Sequence, residues 1–327
     1  MNIFHNILVV IEPKQLRQPA LERGIALYNY AKAHALAKNS HEEVKIIALL
    51  AIEKQAWNLS SFLAVDKEQL EKDYLKKHEQ WLKAYLAINA IGVKVEPVVV
   101  FSKEIGKDIV SIVKEQGCDI LIKTSSVHGL LDSIFFTPLD LQMLRHSPIP
   151  VCIAKDHLFE AQGSIAVALD LVDPDDTLSR LTNLRLLREA QKLSKFTGCK
   201  IVLINAVAPF VPPIAMDVPG FTPQSVYKER FNDGKNLAEE FAKRHMIAPE
   251  NCIVEEGTLE DVIIHQCQKI KPTALFIGTS ARRGLANAIV GNVCERLLEN
   301  LACDIVVITP KAVVRNLPTS EPSKKIE

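Results

Sequence analysis

The sequence predicts an α/β protein made of two tandem copies of a doubly wound parallel sheet. Two strand signals each occur twice, at Ile7–Glu12 and Ile165–Asp170, and at Leu121–Ser125 and Phe276–Ser280. The first pair is offset by 158 residues (7 to 165) and the second by 155 (123 to 278). Because the two offsets nearly agree, we infer that one domain has been duplicated. The signals are continuous apolar runs, which are typical of parallel strands covered on both faces.

Each copy shows five strand signals separated by helical patterns. This alternation of strand and helix predicts right-handed crossovers and a doubly wound sheet. We expect strands near 6–11, 45–51, 94–100, 119–124 and 150–154 in the first copy, and near 164–169, 200–206, 251–255, 274–279 and 304–308 in the second.

The first helix of the second copy has leucines at helical spacing, which predicts a buried apolar face. They are Leu178, Leu181, Leu184 and Leu187. Either Asp175 or Asp176 is expected to cap the start of this helix, because an aspartate oxygen accepts hydrogen bonds from free backbone N–H groups.

Composition and charge exclude several classes of protein. Of the 327 residues, 48% are hydrophobic and 24% are charged, as in an ordinary globular protein. The 39 basic residues balance 39 acidic ones, so no overall field attracts nucleic acid or anionic lipid. The apolar runs are far shorter than the about 20 residues that span a bilayer, and the first residues lack the features of a signal peptide.

The cysteine pattern indicates a reducing compartment. Seven cysteines are widely spaced, and none form a C-x-x-C pair. Such a pattern favours free thiols rather than a disulfide framework. We therefore expect a cytoplasmic protein whose cysteines act as small buried hydrophobic residues.

The boundary between the copies is predicted near 156–163, after the last strand of the first copy. It defines domains at 1–157 and 163–311, followed by a disordered tail at 312–327. The segment 209–223 is apolar but too rich in proline for a helix. We expect it to line a cavity for an apolar ligand or a neighbouring chain, with packing onto the adjacent helix as the alternative.

Ligands of a doubly wound sheet bind beyond the carboxyl ends of the strands, where the strand order reverses. The second copy has the richer loop at this place. Gly278 lets a ligand approach the backbone, and Gly291 with Asn292 is expected to open the last helix, whose free N–H groups favour a phosphate. Arg282 and Arg283 lie between them and either neutralise phosphates or remain in solvent.

This loop resembles the nucleotide-binding signature of the universal stress protein family, Gly-x2-Gly-x9-Gly-Ser/Thr, and the resemblance covers about residues 3–311. Duplication at this length is similar to the E-type subfamily. The resemblance implies two five-stranded parallel sheets of strand order 3-2-1-4-5, related by a pseudo-twofold axis and paired antiparallel through their fifth strands. It also implies a stress-response protein. Several relatives bind ATP, whereas others have lost the signature.

On the second copy the signature keeps its first glycine as Gly278 and its third as Gly291. Ala281 replaces the second glycine, and Asn292 replaces the final Ser/Thr. Asp170 matches the acidic residue that lies near the adenosine in ATP-binding relatives. If position 281 needs a positive φ, alanine costs about 1 kcal/mol there, which weakens a site without abolishing it.

The first copy departs from the signature at every position. Lys123, Ser126 and Phe136 are expected in place of the three glycines, and Thr137 in place of the last residue. Because the Phe136 ring would fill the volume where a phosphate approaches, we expect the first copy to bind no nucleotide.

The sequence contains no motif for a phosphate-binding P-loop, a dinucleotide fold, a zinc protease or a serine hydrolase. We therefore predict a non-catalytic stress-response protein that binds ATP, another adenine nucleotide or another small ligand, mainly in the C-terminal domain. The alternative is a slow ATP hydrolase or phosphate-handling enzyme that uses the same domain. We also expect the two domains to pair with each other. The sequence does not decide whether the chain forms a homodimer. We expect neither a membrane nor nucleic acid as a partner. The expected site consists of Asp170, Gly278, Ala281, Arg282, Arg283, Gly291 and Asn292, with no metal.

Overall fold

The structure is a computed structural model that describes residues 4–13, 15, 17–40, 43–54, 67–125, 143–144, 147–173, 175–209, 223–279 and 289–310. Within these residues the chain forms two compact units. The N-terminal unit extends to Phe159, and the C-terminal unit runs from Glu160 to Pro310. Among the described residues, no helix is long and apolar enough to cross a membrane.

The N-terminal unit is a five-stranded parallel sheet in the order β3-β2-β1-β4-β5. The central strands are almost entirely buried because helices cover both faces, as their continuous apolar runs predict. The described elements are β1 (Asn6–Ile11), α1 (Pro19–Ala37), β2 (Lys45–Glu53), α2 (Lys67–Asn89), β3 (Val95–Ser102), α3 (Ile105–Glu115), β4 (Ile120–Thr124) and β5 (Val151–Ala154).

The C-terminal unit repeats this plan in the order β8-β7-β6-β9-β10, again with parallel strands. Each unit therefore has the strand order 3-2-1-4-5 that the resemblance implies. The pairing of the two fifth strands stays a prediction. The described elements are β6 (Ser164–Leu169), α4 (Thr177–Thr197), β7 (Lys200–Val207), α5 (Pro223–Arg244), β8 (Cys252–Glu256), α6 (Leu259–Ile270), β9 (Ala274–Gly278), α7 (Ile289–Asn300) and β10 (Asp304–Ile308).

Helix α4 buries a different face from the one that its leucine spacing predicts. Asp176, one of the two expected caps, accepts hydrogen bonds from the backbone N–H groups of Leu178 and Ser179. Leu181 and Leu184, however, are 57% and 39% exposed. Leu187 is buried as predicted, but the prediction was wrong for Leu181 and Leu184, because polar side chains begin the buried face and a count of apolar residues misses them. That face comprises Ser179, Thr182, Asn183, Leu186, Leu187, Ala190 and Leu193.

The cysteines behave as small buried residues. All seven are free thiols, and all except Cys252 are buried. Burial raises the pKa of the Cys118 thiol to about 12, which keeps it protonated and unreactive at neutral pH.

Helices in both units end at a residue with a positive φ, where a left-handed backbone closes the last turn. The N-terminal unit has Gly117 (φ 57°) after α3, and Gly92 (φ 77°) lies in the turn that follows α2. The C-terminal unit has Met246 (φ 58°) after α5 and Lys271 (φ 45°) after α6. A side chain in this region costs about 1–2 kcal/mol, which glycine avoids.

Replacing Met246 by glycine should therefore raise the free energy of unfolding by about 0.5–1 kcal/mol, because the steric relief exceeds the entropy that glycine adds to the unfolded chain. The Met246 side chain is 93% exposed, so the substitution removes little packing. The matched control is Gly92→Met. A Cβ on Gly92 has nothing within 4 Å, so only the positive φ of the backbone should make this substitution unfavourable. Urea unfolding should rank Met246→Gly above the wild type and Gly92→Met below it. Three equal stabilities would contradict the argument.

Candidate functional site

The candidate site of the C-terminal unit lies beyond the carboxyl ends of β6 and β9. These strands are parallel neighbours, with Val167 paired to Phe276. Asp170 directly follows β6, and Gly278 is the last residue of β9. From these ends the chain continues to β7 on one side and to β10 on the other, so a crevice opens between them. The structure thus places Asp170 and Gly278 at one edge of the sheet.

Asp170 is held firmly by helix α4. Its backbone N–H donates to Asn183 Oδ1 at 3.1 Å, and its carbonyl accepts from Asn183 Nδ2 at 2.8 Å. The Ser179 hydroxyl lies 3.3 Å from Asp170 Oδ2 and 2.9 Å from Asp176 Oδ2. Since a hydroxyl has one proton, it can donate fully to only one of these two carboxylates. The residue therefore presents an acceptor in a fixed place at the edge of the crevice.

Asn205, near the end of β7, fixes the next residue of the same loop. Its Oδ1 accepts the backbone N–H of Leu171 at 3.2 Å, and the side chain is almost completely buried. Its Nδ2 is buried and has no hydrogen-bond partner among the residues that the structure describes. Asn183 and Asn205 together hold the two residues that follow β6.

Arg185 adds a positive charge to the carboxyl edge of this unit. It lies on α4, and its guanidinium donates to the carbonyl of Thr309, the residue after β10. Burial lowers the pKa of Arg185, and the nearby Glu189 carboxylate opposes that effect. The guanidinium stays charged at neutral pH, because its ordinary pKa is far above 7.

Helix α7 begins earlier than the sequence predicts. It starts at Ile289, so Gly291 and Asn292 lie inside its first turn, and Asn292 is not the N-cap. The sequence prediction placed the start of this helix at Gly291 and Asn292, because asparagine is a preferred N-cap residue. Ala281, Arg282 and Arg283 lie outside the described residues, as does the apolar segment 209–223 except at its ends.

The register of the N-terminal unit corrects one predicted replacement. Thr124 pairs with Ala154, the last residue of β5, as Gly278 pairs with Ile308, the last residue of β10. Thr124 is therefore the counterpart of Gly278, and the prediction that Lys123 replaces this glycine is wrong by one residue. Both segments contain adjacent hydroxyl residues, which allowed the alignment to slip. Ser126, Phe136 and Thr137 lie outside the described residues.

Thr124 uses its side chain inside its own unit. The hydroxyl accepts the backbone N–H of Ala20, at the start of α1, at 3.1 Å. This contact substitutes for a cap, because Gln18 gives the helix no side-chain cap hydrogen bond. Gly278 has no side chain for such a contact, and α4 is capped by its own Asp176. Thr124 is thus engaged within its own unit, whereas Gly278 at the end of β9 has no side chain of its own.

A buried ion pair also closes the N-terminal edge. Lys123 Nζ lies 2.6 Å from Oε1 of Glu12, the residue that corresponds to Asp170, and the lysine side chain is only 5% exposed. The Glu12 backbone N–H donates to Gln18 Oε1 at 3.1 Å. These contacts hold the ends of β1 and β4 together without a ligand.

Sequence reasoning missed both amides of the C-terminal edge. A signal for Asn205 exists, because it is a polar residue within the otherwise apolar run of β7, where burial demands hydrogen bonds. Asn183 has no comparable signal, since polar residues are ordinary in a helix.

Each unit is a doubly wound α/β domain of the kind that binds ligands at its carboxyl edge, and the chain carries two in tandem. Comparison with protein families matches the Universal stress protein family twice, over residues 3–155 and 165–309. The chain therefore belongs to the universal stress protein family.

Individual relatives cover nearly the whole chain. A Universal stress protein E from Photorhabdus laumondii is 32% identical over 315 residues, which are 94% of this chain and 95% of that protein. A protein of unknown function from Pseudomonas aeruginosa has a TM-score of 0.67 at 21% identity and 95% coverage of both chains. A universal stress protein from Archaeoglobus fulgidus has a TM-score of 0.60 at 17% identity, covering 94% of this chain and 98% of that one. The two structures show the same fold.

Removing the charge of Glu12 should destabilise the protein more than removing that of Lys123. Glu12→Gln removes the carboxylate partner of a lysine that is 5% exposed, and we expect a loss of about 3 kcal/mol in the free energy of unfolding. Lys123→Met leaves a carboxylate that is 22% exposed and can regain water, so the loss should be about 1–2 kcal/mol.

The double variant Glu12→Gln/Lys123→Met should be more stable than Glu12→Gln alone, because it also removes the buried lysine charge whose carboxylate partner has been lost. Urea unfolding at neutral pH gives the ranking of all four proteins. A Glu12→Gln loss no larger than that of Lys123→Met would show that the ion pair does not hold this edge together.

Proposed function

We propose that this protein is a non-catalytic ligand-binding protein of the stress response, which holds a small molecule at the carboxyl edge of its C-terminal unit. ATP or another adenine nucleotide fits this edge best. The observation that carries the proposal is the difference between two equivalent strand ends. Thr124 caps a helix of its own unit, whereas the equivalent Gly278 has no side chain of its own.

Two glycines support a phosphate position at the β9 side of the crevice. Gly291 lies in the first turn of α7, where backbone N–H groups have no partner within the helix. The partial positive charge at a helix start stabilises an anion by about 0.3–1 kcal/mol at an exposed site. Arg282 and Arg283, which precede this helix in the chain, would add charge-assisted hydrogen bonds. Ala281 in place of a glycine would weaken the site rather than remove it.

Asp170 supports a position for the sugar of a nucleotide. A carboxylate accepts hydrogen bonds from hydroxyl groups, as acidic residues after early strands do for ribose in other nucleotide-binding sheets. Its backbone is held on both sides by Asn183, so the acceptor is already in place before a ligand binds. Little ordering is then needed on binding.

The N-terminal unit does not share this role in our proposal. The Lys123–Glu12 pair and the Thr124 cap occupy the equivalent strand ends. A nucleotide would have to break a buried ion pair to enter, which opposes binding by several kcal/mol.

Calorimetric titration of the full chain with ATP should therefore give at most one site per chain. Gly291→Phe should remove it, because an aromatic ring would cover the first turn of α7. The matched control is Phe136→Gly, which makes the opposite change in the N-terminal domain and should leave ATP binding unchanged. Two equal sites, or a site lost on changing Phe136, would overturn the proposal.

The same protein incubated with ATP for hours should release no phosphate above the background of the buffer. Sustained hydrolysis that disappears in Gly291→Phe would instead favour the alternative, a slow hydrolase that works through the same unit. Gly291→Phe is the informative control because a contaminating ATPase would be unaffected by it.

A further inference from the structure

We infer that His157 makes a pH-sensitive contact, which holds the end of the N-terminal unit on helix α1 while the imidazole ring is neutral and releases it when the ring is protonated. The part of the chain concerned, residues 155–159, follows β5 and leads to the C-terminal unit, and we call it the connecting segment. The inference is independent of the proposed ligand site.

Arg23 on α1 binds the connecting segment through its guanidinium group. One nitrogen of this group, Nη2, donates to the His157 carbonyl at 3.1 Å and lies 3.3 Å from His157 Nε2. The guanidinium also lies 4.9 Å from the centre of the Phe159 ring, which in turn meets the ring of Tyr30 at 6.0 Å. Arg23 is 5% exposed, so its positive charge has lost most of its water and needs such contacts.

The hydrogen bonds around His157 are those of a neutral ring. A guanidinium group carries donors only, so His157 Nε2 accepts in the contact with Arg23. The other ring nitrogen, Nδ1, lies 2.8 Å from the Leu158 carbonyl, which can only accept, so Nδ1 carries the proton. A protonated ring has a donor on both nitrogens. It would lose the hydrogen bond from Arg23 and place a second positive charge beside a buried guanidinium, so acid weakens the contact.

The other charged groups around this contact do little to favour a protonated ring. They are Arg17 and Glu22 at the start of α1, and Lys155, Asp156 and Glu160 in the chain on either side of His157. Arg17 binds Glu22 at 2.7 Å and also pairs with Asp156, so both carboxylates already have a cation as partner. All three side chains are about half exposed or more, and water and salt screen their effect on the ring.

The C-terminal unit has a similar contact without the titratable acceptor. Arg185 on α4 donates to the carbonyl of Thr309 after β10, as Arg23 donates to the carbonyl of His157 after β5. A backbone carbonyl accepts at every pH, whereas the His157 ring loses its acceptor in acid. The pH-sensitive contact is therefore expected in the N-terminal unit.

The place of the connecting segment gives this contact its consequence. Glu160 directly follows Phe159, and its carbonyl accepts a hydrogen bond from the Thr273 hydroxyl at 3.1 Å within the C-terminal unit. Two consecutive residues are thus held by contacts in different units. Release of the connecting segment from α1 would turn a short connection into a longer and more flexible one.

A nitroxide spin label attached to the Leu158→Cys variant of the full chain tests the inference. Leu158 is 81% exposed, so the label replaces little packing and reports the mobility of the connecting segment. We would record electron paramagnetic resonance spectra at about pH 8 and about pH 5, on either side of the ordinary histidine pKa of about 6.5. The rotational correlation time should shorten by about threefold or more in acid, with an unchanged circular dichroism spectrum. The midpoint should lie below about pH 6.5, because Arg23 disfavours the protonated ring.

Two substitutions of His157 in the labelled chain fix the contact in either state. The uncharged amide of His157→Gln can accept from Arg23 at any pH, so the label should stay restricted in acid. His157→Lys carries a positive charge at both pH values, so the label should be mobile at both. The matched control is His265→Gln, since His265 Nδ1 lies 2.7 Å from Glu255 Oε1, where protonation is favourable. It should leave the transition of the label unchanged.

The parent chain without Leu158→Cys, treated with the same reagent, gives the background from the seven native cysteines. A label at position 158 that is equally mobile at both pH values would overturn the inference. So would a transition that persists in His157→Gln, or one that disappears in His265→Gln.

Discussion

The reversal of strand order at β1 and at β6 is the constraint on which the rest of each unit depends. Because the chain leaves the first and fourth strands in opposite directions, a crevice opens between their carboxyl ends. The polar backbone groups at these ends need hydrogen-bond partners. The N-terminal unit uses the Lys123–Glu12 pair and the Thr124 hydroxyl. The C-terminal unit holds the loop after β6 with Asn183 and Asn205 and ends β9 without a side chain.

These two solutions differ in how completely their polar side chains are paired. A buried ion pair is complete in itself, since each charge supplies the partner that the other needs. Asn205 binds the backbone through its oxygen, whereas its buried nitrogen has no hydrogen-bond partner among the described residues. Sites that bind other molecules commonly keep such unfavourable groups, which a structure selected for stability alone would replace.

The apolar runs were enough to predict the strands, because a parallel strand buried on both faces is apolar along its whole length. The strand order came from the resemblance to the family, and the structure confirms it within each unit. The sequence was not enough where polar groups take part in packing. The buried face of α4 includes Ser179 and Asn183, so leucine spacing pointed to Leu181 and Leu184 instead. Register was equally inaccessible, since adjacent hydroxyl residues near Thr124 permit two alignments and only backbone pairing distinguishes them. The sequence was enough to propose the glycines and Asp170 as parts of the candidate site. The contacts of Asn183 and Asn205 with the loop after β6 were found only in the structure.

A duplicated chain shows how little of a fold must change to alter what it does. The two units share strand order, direction and helix placement, so the fold cannot be what distinguishes their roles. The differences described above lie near the carboxyl ends of the strands, where side chains can change while the backbone pairing of the sheet is kept. Leu50 and Asn205 are both almost completely buried at equivalent positions, yet one is apolar and the other accepts the backbone N–H of Leu171. Membership of the family therefore establishes the scaffold, while the proposed ligand site depends on the few residues that differ between the two carboxyl edges.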